Sequence, residues 1–184
     1  MTRVRDSFCS FCGTAFAEAT GYPRRCAACG SEIWANPVPV GVALVPIASD
    51  ARVGLLVIRR AIPPHIGKLA LVGGFLEEHE SWQAGCVREV REETGVTIDA
   101  AAIAPFWFTS TEPRPNRVLL FGVAERIERA ALAPFAPNHE VSERGVVFGP
   151  DGLDDVLAFP LHAEAARRFF RERTITGAHG FESI

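Results

Sequence analysis

The stretch GFLEEHESWQAGCVREVREETGV, Gly74 to Val96, ends on three carboxylates, Glu89, Glu92 and Glu93, placed within one and a half helical turns. Trp82, Cys86, Val87 and Val90 recur at helical spacing, so a helix is expected from about Glu80 to Thr94, with Gly95 as its C-cap. At about 100° per residue, Glu93 lies about 40° from Glu89 around the axis, and Glu92 about 60° to its other side. Like charges at this spacing cost a helix about 0.2–0.5 kcal/mol per pair, so they need compensation. A hard divalent cation, Mg²⁺ or Mn²⁺, would supply it and could bridge to substrate phosphates. Arg88 and Arg91 supply the alternative, an exposed helix face laced with salt bridges.

On the N-terminal side of this stretch, VGVALVPIA (Val40 to Ala48) and RVGLLVIRRA (Arg52 to Ala61) read as strands paired in a hairpin. The loop IPPHIGK follows, and then the short apolar run LALVGGF, Leu69 to Phe75. On the C-terminal side, APFWFTSTE and RVLLFGVAERI read as two strands around Ser110 to Asn116, and GVVFG, Gly145 to Gly149, as a fifth. PDGLDDVLAF carries a helix-start signal, and PLHAEAARRFFRERT has its apolar residues at helical spacing. The expected organisation is a small N-terminal module over 1–35, a main α/β domain over 36–173 and a tail over 174–184, with the first boundary at the stiff WANPVPV connection.

The N-terminal module holds two C-x-x-C-G knuckles, Cys9 to Gly13 and Cys26 to Gly30. Four thiolates on two such turns form a closed tetrahedral site, so a structural zinc ribbon is expected on Cys9, Cys12, Cys26 and Cys29. The site leaves no open position for catalysis. Cys86, in the apolar pattern of the helix, reads as a buried inert thiol. With 48% apolar and 22% charged residues the composition is that of a globular chain, and a net charge of −3 argues against wholesale nucleic-acid binding. No apolar run reaches the roughly 20 residues of a spanning helix, and no signal core precedes the first cysteine. No membrane partner is expected, and a cytoplasmic protein is the simplest reading.

From Gly74 onward the spacing is Gly, five residues, Glu80, seven residues, Arg88-Glu89-Val90, one residue, Glu92-Glu93, one residue, Gly95-Val96. This resembles, at each of nine constrained positions, the Nudix box of the Nudix hydrolases, and the likeness extends from about Asn36 to Phe170. The resemblance implies an α/β/α sandwich with a mixed sheet, and a hydrolase acting on a nucleoside diphosphate linked to another group. It implies that Glu89, Glu92 and Glu93 hold the divalent ions, that Glu80 and Arg88 orient the loop and the carboxylates, and that Gly74 brings backbone close to the metal. Glu89 or Glu93 is the candidate base. Many members add a later glutamate, for which NHEVSERGVVF offers Glu140 as a fourth ligand or base, with Glu143 second to it. Two positions depart from the family pattern: His79 stands where glycine is usual, and Gly145 where a Trp is common.

The four cysteines together with the box are similar to a zinc-ribbon group of ADP-ribose and FAD pyrophosphatases and, less closely, to NADH pyrophosphatases that also act on NAD-capped RNA. The proline-rich motif of the latter after the box is absent; FWFTSTEPRPNR stands there instead. The leading expectation is therefore ADP-ribose or FAD as substrate, with NADH or an NAD cap as the alternative. A non-catalytic nucleotide-sensing or nucleic-acid-binding protein is the answer of a different class. Trp107, Arg114, Arg117 and Arg60 are candidate substrate contacts, with Arg59 and Lys68 beside the loop into the box. Strand alternation favours Phe106 and Phe108 as core residues, with Trp107 pointing the other way. A homodimer would match many ADP-ribose-cleaving relatives.

Overall fold

Strict two-residue alternation in the central strands decides the layering. The computed structural model describes residues 6–17, 21–112 and 116–184. In β3 (Val38–Leu44), β5 (Arg52–Arg60) and β6 (Leu69–Phe75), the residues Val42, Leu44, Leu55, Val57, Leu69 and Leu71 enter one buried cluster. Their neighbours Ala43, Leu56, Ile58, Ala70 and Val72 enter another. Because successive side chains point to opposite faces, the sheet carries one apolar core on each side. Helix α1 (Trp82–Thr94) closes the second cluster through Cys86 and Val90. Helix α3 (Pro160–Glu172) closes the first through Ala163, Ala166, Phe169 and Phe170, giving the expected α/β/α sandwich.

The chain divides into two units, Met1–Pro37 and Val38–Ile184. In the first, β1 (Arg24–Arg25) and β2 (Glu32–Ile33) form an antiparallel pair, and Cys9, Cys26, Ile33 and Phe16 make a small apolar cluster. The second contains β4 (Pro46–Ser49), β7 (Ala104–Ser110), β8 (Arg117–Val123), β9 (Ile127–Glu128), β10 (Val141–Phe148), the one-turn helix α2 (Leu153–Val156) and β11 (Gly180–Ser183). The sheet order is β11-β10-β5-β6-β3-β8-β7, and the β3–β8 pairing is parallel, which makes the sheet mixed.

Several local readings change. The run Val40 to Ala48 is divided between two strands: β4 forms the hairpin with β5, whereas β3 pairs with β6 and β8. The helix-start signal at Pro150-Asp151 yields only the single turn of α2. Within the tail expected over 174–184, Gly180–Ser183 form a strand of the sheet, with β11 antiparallel to β10 from Phe148↔Gly180 to Gly145↔Ser183. That strand also accounts for Gly145. A Cβ there would lie 2.2 Å from the Phe181 ring, so Phe181, beneath the Arg59 guanidinium at 5.0 Å, fills space that a side chain at 145 would need. Gly145→Ala is expected to destabilise the fold by about 1–3 kcal/mol through overpacking. A denaturant midpoint checks this, and Phe181→Ala in the same chain should recover part of the loss.

Candidate active site

Helix α1 begins where Ser81 accepts a hydrogen bond from the Ala84 amide (3.1 Å), and it ends at Gly95, whose φ of 73° suits glycine. Between these caps the glutamates separate by environment. The Glu92 side chain is 53% exposed, Glu89 is 13% exposed, and Glu93 as a residue is 7% exposed. The three are thus graded from solvent to interior rather than spread evenly on an open face.

Arg88 provides part of the compensation that the helix requires. Its guanidinium donates to Glu80 (2.8 Å), Glu89 (2.8 Å), Glu92 (3.2 Å) and the Phe75 carbonyl (2.9 Å). Glu80 also accepts from the Glu77 amide at 2.8 Å, so one ion pair joins the loop after β6 to the helix. Hydrogen bonding to Arg88 holds Glu80 below the usual carboxylate range and raises Arg88 above its ordinary value.

Glu93 has a different environment. Its carboxylate accepts from the Gly73 amide at 3.1 Å, and no salt-bridge partner reaches it among the described residues. Burial first, then the charges of Glu89 and Glu140, push it up to about 8 against the pull of the Gly73 hydrogen bond and Arg60. Burial also raises Glu89, although Arg88 opposes the shift. Gly74 has no side chain because the Glu89 carboxylate occupies the place: a Cβ there would sit 2.3 Å from Glu89 Oε1. Buried, incompletely compensated carboxylates lying against backbone fit a hard divalent cation. Among the described residues, only the four cysteines bring three or more candidate ligand atoms within 4.8 Å of one another.

Glu140 precedes β10 and lies close enough for its charge to raise Glu89 and Glu93. Glu143 is engaged elsewhere, paired with Arg59 at 2.5 Å. Arg60 donates to the carbonyls of Pro64 (2.8 Å), Pro63 and Ile62, and stands over Phe159 at 5.1 Å, so it organises the loop into the box. Lys68 bonds the Asp155 carbonyl. His79 is exposed on a turn.

In β7 a bulge between Pro105 and Trp107 breaks the alternation expected there. Phe108 is consequently 75% exposed rather than core. Trp107 stacks on Phe121 at 5.1 Å with Arg168 over its ring at 4.3 Å, so it is already engaged within the fold. Arg114 lies outside the described residues. Arg117 stands over Phe75 at 5.3 Å, immediately beside Gly74, and Phe75 is 53% exposed. Sequence reasoning missed Phe75, although its place next to Gly74 was a usable signal. It also missed Arg144, which is 3% exposed and ties Thr94 O (2.8 Å) to Ala133 O (2.7 Å) at the end of α1.

In the N-terminal unit the knuckles are matched: Gly13 N donates to Cys9 O and Gly30 N to Cys26 O, each at 2.9 Å, and both glycines have φ of 74°. Sγ atoms of Cys9 and Cys29 are 3.7 Å apart, and those of Cys12 and Cys26 are 3.6 Å apart. Four sulfurs around zinc at about 2.3 Å would be about 3.8 Å apart, so the cluster fits that ion. Side-chain and backbone hydrogen bonds with Thr14 hold the Cys12 thiol down at about 6. Against a backbone hydrogen bond from Cys29, burial and side-chain hydrogen bonds with Cys12 and Cys29 push Cys26 up to about 11, so the support for zinc is the sulfur geometry. Cys86 is buried in the core beneath α1, and desolvation pushes it up to about 12.

A family model for the NUDIX domain matches residues 37–172. A NAD-capped RNA hydrolase NudC from Deinococcus radiodurans is 31% identical over 121 residues, covering 64% of this chain and 41% of that protein, so the chain spans about two fifths of this relative's length. The crystal structure of a NUDIX hydrolase from Nitrosomonas europaea superposes with a TM-score of 0.67 at 25% identity, covering 91% of this chain and 92% of that one. The NUDIX domain of Shewanella oneidensis NrtR, solved with ADP ribose, superposes at 0.59 with 23% identity, covering 77% and 90% of the two chains.

Proposed function

The chain belongs to the NUDIX family, and from that premise we propose that it is a Mg²⁺- or Mn²⁺-dependent pyrophosphatase that hydrolyses a nucleoside diphosphate derivative, with ADP-ribose or FAD foremost. The observation that carries this reading is Glu93, buried without a cationic ion-pair partner among the described residues and adjoining Glu89 on the same helix. A divalent ion bound there would neutralise phosphoryl oxygens and lower the pKa of a coordinated water. Glu89, Glu92, Glu93 and Glu140 would hold it, with the Gly74 backbone alongside. A carboxylate oxygen of Glu89 or Glu93 accepts the proton of the attacking water, while Glu80 and Arg88 keep the loop and the carboxylates in register.

Phe75 and Arg117 form the adjoining surface for substrate: an exposed ring for a base to stack on and a planar fork for a phosphate. Arg60 contributes through the loop it organises. The NrtR domain bound to ADP ribose supports an ADP-ribose-like ligand. The resemblance to NudC supports a second reading, an NAD cap or NADH. The cysteine cluster serves as a structural zinc site, and no helix among the described residues is long and apolar enough to cross a membrane.

A panel of ADP-ribose, FAD, NADH, NAD-capped RNA, diadenosine polyphosphates and nucleoside triphosphates, assayed with Mg²⁺ and with product identification, tests the substrate. The expected result is highest kcat/KM for ADP-ribose or FAD, with Phe75→Ala raising KM about tenfold, as loss of one stacked ring would. Highest kcat/KM for a nucleoside triphosphate would reject the assignment.

A further inference from the structure

We propose that Asn138 is a positioning residue that fixes Glu140 relative to the carboxylates of α1. The proposal rests on the reading of Glu140 as a metal-binding or proton-accepting group. Glu140 ends a segment, residues 132–140, that has no strand or helix of its own. A carboxylate on such a segment contributes to a site only if its backbone is held, because a displacement of about 1 Å costs much of the effect.

The Asn138 amide uses both of its ends for this purpose. Its Nδ2 donates to the Glu92 carbonyl at 3.1 Å, in the last turn of α1, where carbonyls lose their partners within the helix. Its Oδ1 accepts from the Glu140 amide and from the Val141 amide, each at 2.9 Å. Its own N–H donates to Val141 O at 3.0 Å, closing the turn. On the far side, the Ala61 amide donates to Glu140 O at 2.7 Å.

Both backbone groups of Glu140 are therefore satisfied, one through Asn138 and one through the residue following β5. Arg144 ties the start of the same segment, at Ala133, to Thr94 on the same helix end. Two side chains thus lock one connection onto the turn that carries Glu92 and Glu93. Only a carboxamide offers a donor toward the helix and an acceptor toward the turn together: aspartate retains the acceptor alone, and alanine has neither. Positioning groups of this kind typically change metal affinity or turnover by about 10–100-fold.

The test is a double-mutant cycle on the zinc-loaded full chain, with Mn²⁺ binding read from the electron paramagnetic resonance signal of free Mn²⁺ and turnover of the best panel substrate measured alongside. Asn138 is exposed, so Asn138→Ala leaves the core intact, and its thermal midpoint serves as the check on folding. The expected result is Mn²⁺ binding about tenfold weaker in Asn138→Ala, at least as weak in Glu140→Gln, and no weaker in the double variant than in Glu140→Gln alone. Wild-type Mn²⁺ affinity in Asn138→Ala overturns the proposal while leaving the role of Glu140 standing. A double variant whose loss is the product of the two single losses also overturns it. Wild-type affinity and turnover in Glu140→Gln reject the role of Glu140, and the positioning proposal with it.

Discussion

Glu93→Gln is expected to reduce hydrolysis of the best substrate by at least about a hundredfold and, in the same preparation, to stabilise the metal-free protein at alkaline pH. The two effects have one origin. Glutamine retains an oxygen to accept the Gly73 hydrogen bond of 3.1 Å, so the local fold is preserved, but the negative charge is lost. In the folded metal-free protein Glu93 is pushed up to about 8 from the ordinary 4.5, chiefly by burial. The folded state therefore binds more protons than the unfolded state between those two values. The associated stability is complete below about 4.5 and is lost as pH rises through 8. Glutamine has no such titration, so Glu93→Gln should exceed wild type in thermal midpoint at pH 8.5 without metal. A divalent ion needs the carboxylate, so Mg²⁺ should raise the wild-type midpoint more at pH 8.5 than at pH 5.5, with little effect on the variant. Melting curves at both pH values, with and without Mg²⁺, read all of these differences.

Loss of zinc is expected to unfold the N-terminal unit outright. Its apolar cluster consists of Cys9, Cys26 and Ile33 with Phe16 against them, too little to order a unit of this size. Domains below about 40 residues usually need a metal or disulfides, and structural zinc in such peptides contributes about 10–16 kcal/mol near neutral pH. All four cysteines are free thiols in the structure, so no disulfide substitutes. Purified protein should contain one zinc per chain by metal analysis. Cys9→Ser, or stripping with a strong chelator, should abolish amide-exchange protection around the β1–β2 pair. Retained protection there with zinc absent would remove the structural role.

The layered fold was legible because the short apolar runs of β5 and β6 and the helical spacing in α1 and α3 report burial directly. The nine spaced positions from Gly74 to Val96 pointed to the carboxylates for a different reason, their resemblance to the Nudix box, since helical spacing alone fits a salt-bridged surface equally well. What remained hidden depended on partners distant in sequence. β11 lays Phe181 over Gly145, so the departure at Gly145 and the end of the chain bear on one another across 36 positions. The bulge at Trp107 inverted the expected exposure of Phe108, which no alternation rule can foresee. The grading of Glu92, Glu89 and Glu93 from solvent to interior follows from packing against β6, although Gly73 and Gly74 hinted that backbone would come close. The clip at Asn138 joins a loop to a helix end across 46 positions and has no local signature.

The most direct test of the carboxylate site is hydrolysis of ADP-ribose and FAD by the wild-type chain and by Glu93→Gln, each assayed with Mg²⁺ and with EDTA and with products identified by mass. The account predicts AMP from one or both substrates, formed by wild type only with the metal, and a rate at least about a hundredfold lower in the variant. Equal rates with EDTA, or equal rates in Glu93→Gln, would contradict it.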